Sequence, residues 1–255
     1  PLPHGRTRCQ AGPMQTAIRL GMLTPSSNTA LEPITTAMLA GLPEVSVHFA
    51  RFRVTEIALS ADSLAQFDDG PILAAAELLS HAKVHAIAWN GTSASWLGFE
   101  SDRRLCDRIT AATGIASATS ILALNAVLDR TGARRIGLVT PYVDDVQARI
   151  VANYRALGIE TGAERHLGIR DNFAFAEVTP ETLADQVRAV AAARPDAIAV
   201  TCTNLRVAPL VADLERETGV PIYDTIATAV WDSLRCAGVD PRRVRGWGRI
   251  FDVGA

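Results

Sequence analysis

The stretch HAIAWNGTS at residues 85–93 recurs later in the chain as DAIAVTCTN at residues 196–204. Two further pairs of segments match, one on each side of it: RLGMLTP at 19–25 with RIGLVTP at 135–141, and TGIASATSI at 113–121 with TGVPIYDTI at 218–226. The three pairs keep the same order along the chain. Solenoid arrays repeat every 20–50 residues or so, whereas this repeat takes up nearly half of the 255 residues. The sequence therefore predicts two copies of one domain.

Each copy is predicted to alternate four strands with four helices. The predicted strands are short apolar runs at 17–23, 46–52, 85–90 and 115–118, then at 134–140, 159–165, 196–201 and 220–223. Buried strands that alternate with helices form parallel sheets with right-handed crossovers. We therefore expect an α/β fold of two pseudo-symmetric Rossmann-like domains, each with a four-stranded parallel sheet. The expected divisions are a disordered lead-in at 1–14, a first α/β domain at 15–130, a second at 131–238, and a C-terminal tail at 239–255 that packs back on the first domain.

Composition excludes several classes of partner. The 25 Lys+Arg residues balance 27 Asp+Glu residues, and no basic run indicates nucleic acid or a membrane surface. No apolar run is long enough to span a bilayer, and no secretory signal precedes the first domain. The four cysteines are far apart and the histidines lack metal-ligand spacing, so we expect neither a disulfide framework nor a metal. No Gly-rich phosphate loop is present. The separated cysteines favour a reducing compartment, so we expect a cytoplasmic protein.

The expected active site lies in the cleft between the two domains. In open parallel sheets, ligands bind beyond the carboxyl ends of the strands. In this sequence four predicted strands are followed by polar turns, at 25–29, 90–93, 140–142 and 201–204. The repeat aligns Cys202 with Gly91, so these two positions are expected to face each other across the cleft. We interpret Cys202 as the catalytic thiol, with a pKa lowered by a helix N-terminus, although a free cysteine is often just a buried apolar side chain. Cys106 and Cys236 lie in helical patterns and are expected to serve packing.

Polar residues near these turns are candidate ligands of a carboxylate. Thr92, Ser93 and Tyr142 are predicted to donate hydrogen bonds to an enediolate formed from it, with helix capping as the alternative role for the first two. Gly91 and Thr203 lie in the same turns. Further candidate substrate-binding residues are Asn28, Asn172 and Arg53; the alternatives are capping for the asparagines and a surface salt bridge for Arg53 and its neighbour Arg51.

The chain resembles the aspartate/glutamate racemase superfamily, in the branch that contains arylmalonate decarboxylase and maleate cis-trans isomerase. The resemblance covers about residues 16–253. It rests on PSSNT at 25–29, GTS at 91–93, TPYVDD at 140–145, LGIRDN at 167–172, Cys202 and WGRIFD at 247–252. It implies two pseudo-symmetric domains, an interdomain active site, and neither metal nor organic cofactor.

The two relatives imply different chemistry. Gly91, Thr92, Ser93, Tyr142 and a single Cys202 match the decarboxylase, in which such donors hold an enediolate and one thiol protonates it. Asn28, Tyr142 and Asn172 match residues that bind carboxylates in the isomerase, which carries a second cysteine where this chain has Gly91.

The first hypothesis is a decarboxylase-like lyase for a substituted malonate or similar small dicarboxylate, in which a cysteine at position 91 would create a two-thiol racemase. The alternatives are an isomerase or racemase of a small dicarboxylate, and a silent small-acid binding protein. A homo-oligomer is compatible with each of them.

Overall fold

The computed structural model describes residues 17–57, 59 and 69–254. The predicted lead-in at 1–14 lies outside the described residues, together with Cys9. Among the described residues, no helix is long and apolar enough to cross a membrane.

The first half contains a four-stranded parallel sheet with the strand order β2-β1-β3-β4. Its elements in chain order are β1 Ile18–Pro25, α1 Leu31–Leu39, β2 Val45–Phe52, α2 Asp69–His81, β3 Ala86–Trp89, α3 Ala94–Leu97, α4 Glu100–Thr113, β4 Ser117–Thr119 and α5 Ser120–Thr131. The residues of β3 are all buried, as expected of a central strand covered on both faces.

The second half repeats the same architecture, with the strand order β6-β5-β7-β8, again all parallel. Its elements are β5 Arg135–Thr140, α6 Asp144–Ala156, β6 Glu160–His166, α7 Pro180–Ala191, β7 Ala197–Val200, α8 Val211–Thr218, β8 Ile222–Asp224 and α9 Thr225–Cys236, with short 3-10 helices at Ala174–Glu177, Ala208–Leu210, Pro241–Arg243 and Arg249–Asp252. The predicted fold class, with two pseudo-symmetric four-stranded parallel sheets, is confirmed.

The last helix of each half begins at the same place in the repeat, directly after the fourth strand. The Thr119 side chain accepts the Leu122 N–H at the start of α5, and the Asp224 side chain accepts the Ile226 and Ala227 N–H groups at the start of α9. Helix α9 packs on α5 and against β3 and β4 of the first half. The two halves therefore share a buried boundary, and their strand ends face one gap.

Buried amide side chains join the halves at this boundary. Asn204, from the turn after β7, accepts the backbone N–H groups of Thr29 and Ala30 at 2.9 and 3.1 Å, and it donates to the Asn172 carbonyl. The Asn28 amide donates to the Thr203 carbonyl and hydroxyl at 3.0 and 3.2 Å. Because these bonds are out of water, each fixes the relative position of two strand ends.

The C-terminal tail, which was predicted to pack back on the first domain, contacts both halves. Its described hydrogen bonds go mainly to the second half: Glu215 in α8 accepts the Arg249 N–H, and Trp231 in α9 donates to the Val253 carbonyl. The first half also contacts the tail, through an ion pair from Glu44 to Arg243 and a bond from Arg130 to the Gly254 carbonyl. The buried Glu215 carboxylate needs donors, and those donors lie in the tail and at Ile222.

Asn204→Ala should lower the free energy of unfolding by about 3 kcal/mol, because it removes the acceptor of buried N–H groups and the donor to a buried carbonyl. Asn153→Ala is the control: its side-chain amide donates one bond to the Ser95 carbonyl, and its loss should cost about 1 kcal/mol. Urea denaturation followed by circular dichroism measures both. Equal losses would show that Asn204 does not join the halves.

Candidate active site

One narrow cavity opens where the carboxyl ends of the two sheets meet. It is lined by Pro25, Val54, Ile57, Trp89, Gly91, Thr92, Ser93, Trp96, Tyr142, Asn172, Cys202 and Thr203. Seven of the nine residues predicted for the site are therefore brought together here, and Asn28 and Arg53 are not among the lining residues.

Cys202 lies two residues beyond the end of β7 and is 2% exposed. Its backbone N–H donates to the Thr225 hydroxyl at 3.1 Å, and its Sγ accepts the Asn204 N–H at 3.3 Å. Burial raises the pKa of the Cys202 thiol to about 12, and the N–H of Asn204 offsets only part of that effect. The side chain is therefore a protonated thiol at neutral pH.

The expectation of a pKa lowered at Cys202 by a helix N-terminus is wrong. No α-helix starts at this turn: the chain continues through a 3-10 helix at Ala208–Leu210 before α8 begins at Val211. The helix that follows Cys202 along the chain is therefore too far away to stabilise a thiolate, since that effect falls off within the first turn. Desolvation then dominates, and it favours the neutral thiol.

Two hydroxyl groups meet beside the thiol. Thr92 Oγ1 and the Tyr142 hydroxyl are 2.6 Å apart in a buried hydrogen bond. One of the two hydroxyl hydrogens is used in that bond, and the Tyr142 hydroxyl also lies beside the Cys202 sulfur, which can accept the other hydrogen. Burial, followed by the neighbouring Cys202, raises the pKa of Tyr142 well above its ordinary value, so the phenol stays a donor. Its ring is held edge-on by Trp96 and Phe175, at centroid distances of 5.1 and 5.7 Å.

Ser93 lies next to this pair and is 5% exposed. It precedes α3, but its side chain makes no capping bond to that helix, whereas its carbonyl accepts the Trp96 and Leu97 N–H groups. The Ser93 side chain therefore does not cap α3, which was the alternative role considered from the sequence. Ser93 lines the cavity together with Thr92 and Tyr142, so three neutral hydroxyl side chains border it.

Asn28 is buried behind the cavity lining. Its side-chain oxygen accepts the Ala30 and Leu31 N–H groups at the start of α1, and its amide donates to Thr203. Thr203 in turn donates to the Asn90 carbonyl at 2.9 Å. The side-chain oxygen of Asn28 therefore caps α1, which was the alternative role considered from the sequence. Its amide could bind a substrate only if it released Thr203.

Asn172 reaches the cavity, but its amide donates to the Ser27 hydroxyl at 2.7 Å. Arg53 is exposed. Arg51 forms an ion pair with Glu32 and donates to the carbonyls of Ser26 and Asn28, which matches the salt-bridge alternative. Neither arginine is placed among the cavity-lining residues, so the second carboxylate site predicted at Arg53 is not formed in this structure.

Gly91 is covered by the indole ring of Trp89. An ideal Cβ built on Gly91 would lie 1.8, 2.2 and 2.4 Å from three atoms of that ring, which is far inside contact distance. The expectation that Gly91→Cys alone would place a second thiol opposite Cys202 is therefore wrong. Position 91 has no room for a side chain while the indole stays where it is.

Several wall residues were not predicted from the sequence. Val54 and Ile57 follow β2 in a segment held to the second half by a backbone bond from Asn172 to Thr55 and by a bridge between Glu56 and Asp171. Trp96 is in α3, directly after the Thr92-Ser93 turn. The sequence signal for Trp89 was present, because the repeat aligns it with Val200.

No group of three or more potential metal ligands occurs within the residues that the structure describes. His166 lies between the carboxylates of Glu164 and Asp144, at 2.9 and 2.8 Å, away from the cavity lining.

Comparisons with known proteins agree on one family. The family model described as arylmalonate decarboxylase matches residues 20–251. Arylmalonate decarboxylase of Bordetella bronchiseptica is 34% identical over 165 residues, which cover 64% of this chain and 69% of that protein. Maleate isomerase of Pseudomonas putida is 30% identical over 235 residues, covering 88% of this chain and 93% of the relative. A crystal structure of a maleate isomerase variant with maleate, from another strain of that species, superposes with a TM-score of 0.83 at 26% identity, over 93% of this chain and 98% of that one.

Alkylation of Cys202 by iodoacetamide should be slow at neutral pH, because the thiolate is the reactive form. The rate should rise about tenfold for each pH unit, without levelling off until strongly alkaline pH, since burial raises the pKa of this thiol to about 12. Mass spectrometry of tryptic peptides follows Cys202 and, as an internal reference, the exposed Cys236. A rate at Cys202 that has already levelled off at neutral pH would mean a lowered pKa and contradict this description.

Proposed function

This chain belongs to the arylmalonate decarboxylase family, and we propose that it is a lyase that removes one carboxylate from an α-substituted malonate. The reaction passes through an enediolate, and Cys202 supplies the proton that ends it. The observation that carries this proposal is the buried Cys202 thiol in one cavity with the Thr92–Tyr142 hydroxyl pair, and burial raises the pKa of that thiol. A thiol that holds its proton at neutral pH suits an acid, whereas isomerisation or racemisation by attack or deprotonation needs a thiolate.

The donors act on the carboxylate that stays. When the bond between the α-carbon and the leaving carboxyl carbon breaks, its electron pair moves into the remaining carboxylate and forms the enediolate. Ser93 would donate to one enediolate oxygen, and the Thr92–Tyr142 pair would donate to the other once a hydroxyl hydrogen turns to it from the Cys202 sulfur. Neutral donors fixed in a buried site stabilise charge that develops there without reorganising, which lowers the barrier.

The leaving carboxylate departs as carbon dioxide, and apolar walls favour that step. Pro25, Val54, Ile57 and Trp96 line the cavity and offer no charge partner to a carboxylate. A carboxylate in an apolar environment is destabilised, and this destabilisation disappears when the carboxylate becomes neutral carbon dioxide. The sequence suggested that Asn172, Arg51 and Arg53 would make this wall polar. The bond from Asn172 to Ser27, the bonds from Arg51 to Glu32 and a backbone carbonyl, and the exposure of Arg53 support the apolar interpretation.

Proton transfer completes the cycle. The α-carbon of the enediolate takes the proton from Cys202, which gives a monocarboxylate and a thiolate. That thiolate is a strong base in its buried site, so it recovers a proton from water. One carbon–carbon bond breaks and one carbon–hydrogen bond forms, with no change of oxidation state in the protein.

The second candidate function is isomerisation of a small dicarboxylate such as maleate. The observation that favours it is the match to maleate isomerase along most of the chain, at 88% coverage against 64% for the decarboxylase. The absence of a second cysteine at position 91 argues against it. Release of carbon dioxide distinguishes the two reactions.

The wild-type protein should convert phenylmalonate to phenylacetate with release of carbon dioxide and incorporation of one deuterium at the α-carbon, seen by proton NMR in deuterated water. Maleate should give no fumarate. Cys202→Ala should abolish turnover, because Cys202 is the only thiol among the described residues that line the cavity. Cys106→Ala is the matched control and should keep kcat within about threefold, since this thiol lies in α4 away from the cavity. Conversion of maleate without decarboxylation of phenylmalonate would favour the isomerase.

Ser93→Ala and Tyr142→Phe should each lower kcat by about 100- to 1,000-fold, because each removes one preorganised donor to the enediolate. The changes in KM should be smaller, since the charge develops in the transition state. Tyr154→Phe is the control for the tyrosine: that hydroxyl is also buried and has no hydrogen-bond partner. Ser101→Ala, outside the cavity, is the control for the serine. Unchanged kcat in both site variants would leave these hydroxyls with packing roles only.

A further inference from the structure

The two halves carry different residues at the strand ends that would lie on either side of the substrate α-carbon. Strands β3 and β7 are equivalent in the repeat, so Gly91 corresponds to Cys202 and Trp89 to Val200. Residues two apart along an extended chain direct their side chains to the same face. The side chain of Trp89 is thereby directed to the face on which a side chain at position 91 would stand.

The indole ring fills that place. Three of its atoms lie within 2.4 Å of where a Gly91 Cβ would be, and Trp89 and Gly91 both line the cavity together with Cys202. The ring is 1% exposed and packs on Phe52 with centroids 5.1 Å apart. Moving it would therefore displace a second buried aromatic ring, which close-packed interiors resist.

We infer that Trp89 is a specificity-determining residue, whose indole closes the cavity face opposite Cys202 and restricts proton delivery to one face of the substrate. The inference rests on the proposed lyase function and adds the stereochemical outcome. An indole presents carbon–hydrogen bonds and one N–H donor that is not an acid in the physiological range. A planar enediolate between Cys202 and the indole therefore receives its proton from the thiol side only, and a prochiral malonate gives one enantiomer.

The test uses four proteins: the wild type, Gly91→Cys, Trp89→Val and the double variant Trp89→Val/Gly91→Cys. Valine at 89 copies the residue that the other half carries at the equivalent strand end, so the double variant restores the symmetry of the two strand ends. The probe is α-methyl-α-phenylmalonate, whose decarboxylation gives chiral α-phenylpropionate. Chiral chromatography measures the enantiomeric excess, and each pure enantiomer is also incubated with each protein in deuterated water.

The wild type should give one enantiomer in large excess and should not racemise it. Trp89→Val should give the same enantiomer in lower excess, because water can then reach the face that the indole covered. The double variant, with a thiol on each side, should give a nearly racemic product, because either thiol can then protonate the enediolate. A racemic product from the wild type, an unchanged enantiomeric excess in Trp89→Val, or a loss of excess in Gly91→Cys as large as in the double variant would overturn the inference.

A stability measurement tests the same geometry without any turnover. Gly91→Ala should lower the Tm by about 5 °C in the wild-type background and by much less in the Trp89→Val background, because only the indole crowds the new methyl group. Gly41→Ala is the control, since a Cβ there meets no atom within 4 Å and should leave the Tm unchanged. An unchanged Tm for Gly91→Ala in the wild-type background would overturn the inference. If the Tm values follow this pattern but no protein releases carbon dioxide, Trp89 still closes the cavity face and the lyase function is rejected.

Discussion

The site depends on hydrogen bonds that cross the boundary between the two halves. Neither parallel sheet forms a cavity alone, because the carboxyl ends of its strands would face water. Asn204 and Asn28 bind these ends to each other through the backbone at Thr29, Ala30 and Thr203. This contact places the turn after β7 against the turn after β1 and closes the space around Cys202. The chemistry of the thiol follows from that closure, because the pKa of a thiol rises when water is withdrawn from it.

The duplicated fold would allow equivalent groups on both sides of a substrate, and this chain departs from that symmetry at two positions. At one, cysteine in the second half corresponds to glycine in the first. At the other, a small valine corresponds to tryptophan, and the tryptophan ring covers the glycine. An acid is left on one side of the cavity and an aromatic wall on the other. The polar donors Thr92, Ser93 and Tyr142 come from both halves, so the carboxylate they would hold is shared between the sheets, whereas the proton comes from the second half.

The sequence predicted those features that depend on periodicity and on the repeat. Apolar runs that alternate with helical patterns gave the parallel sheets, and the rule for strand ends brought Cys202, Thr92, Ser93 and Tyr142 to one cavity. The remainder depends on side-chain directions and burial, which a linear pattern does not contain. The pKa of Cys202 is raised and not lowered as predicted, because burial favours the neutral thiol and the helix after this residue starts only at Val211. Asn28 and Arg51 were candidate ligands in the sequence. In the fold, both side chains form hydrogen bonds with backbone groups of the turn between β1 and α1. The ring of Trp89 could be aligned with Val200, but its rotamer over Gly91 required coordinates.

Burial keeps Cys202 a neutral thiol, and the proposed decarboxylation needs that thiol as its acid. Difference infrared spectroscopy of the sulfur–hydrogen stretch, wild type minus Cys202→Ala, measures this protonation state directly. We expect a sulfur–hydrogen band from Cys202 at neutral pH that persists into mildly alkaline solution, because burial raises the pKa of the thiol to about 12. A difference spectrum without that band at neutral pH would show that Cys202 is a thiolate, which rules out its role as the acid and favours chemistry in which it is a base or a nucleophile.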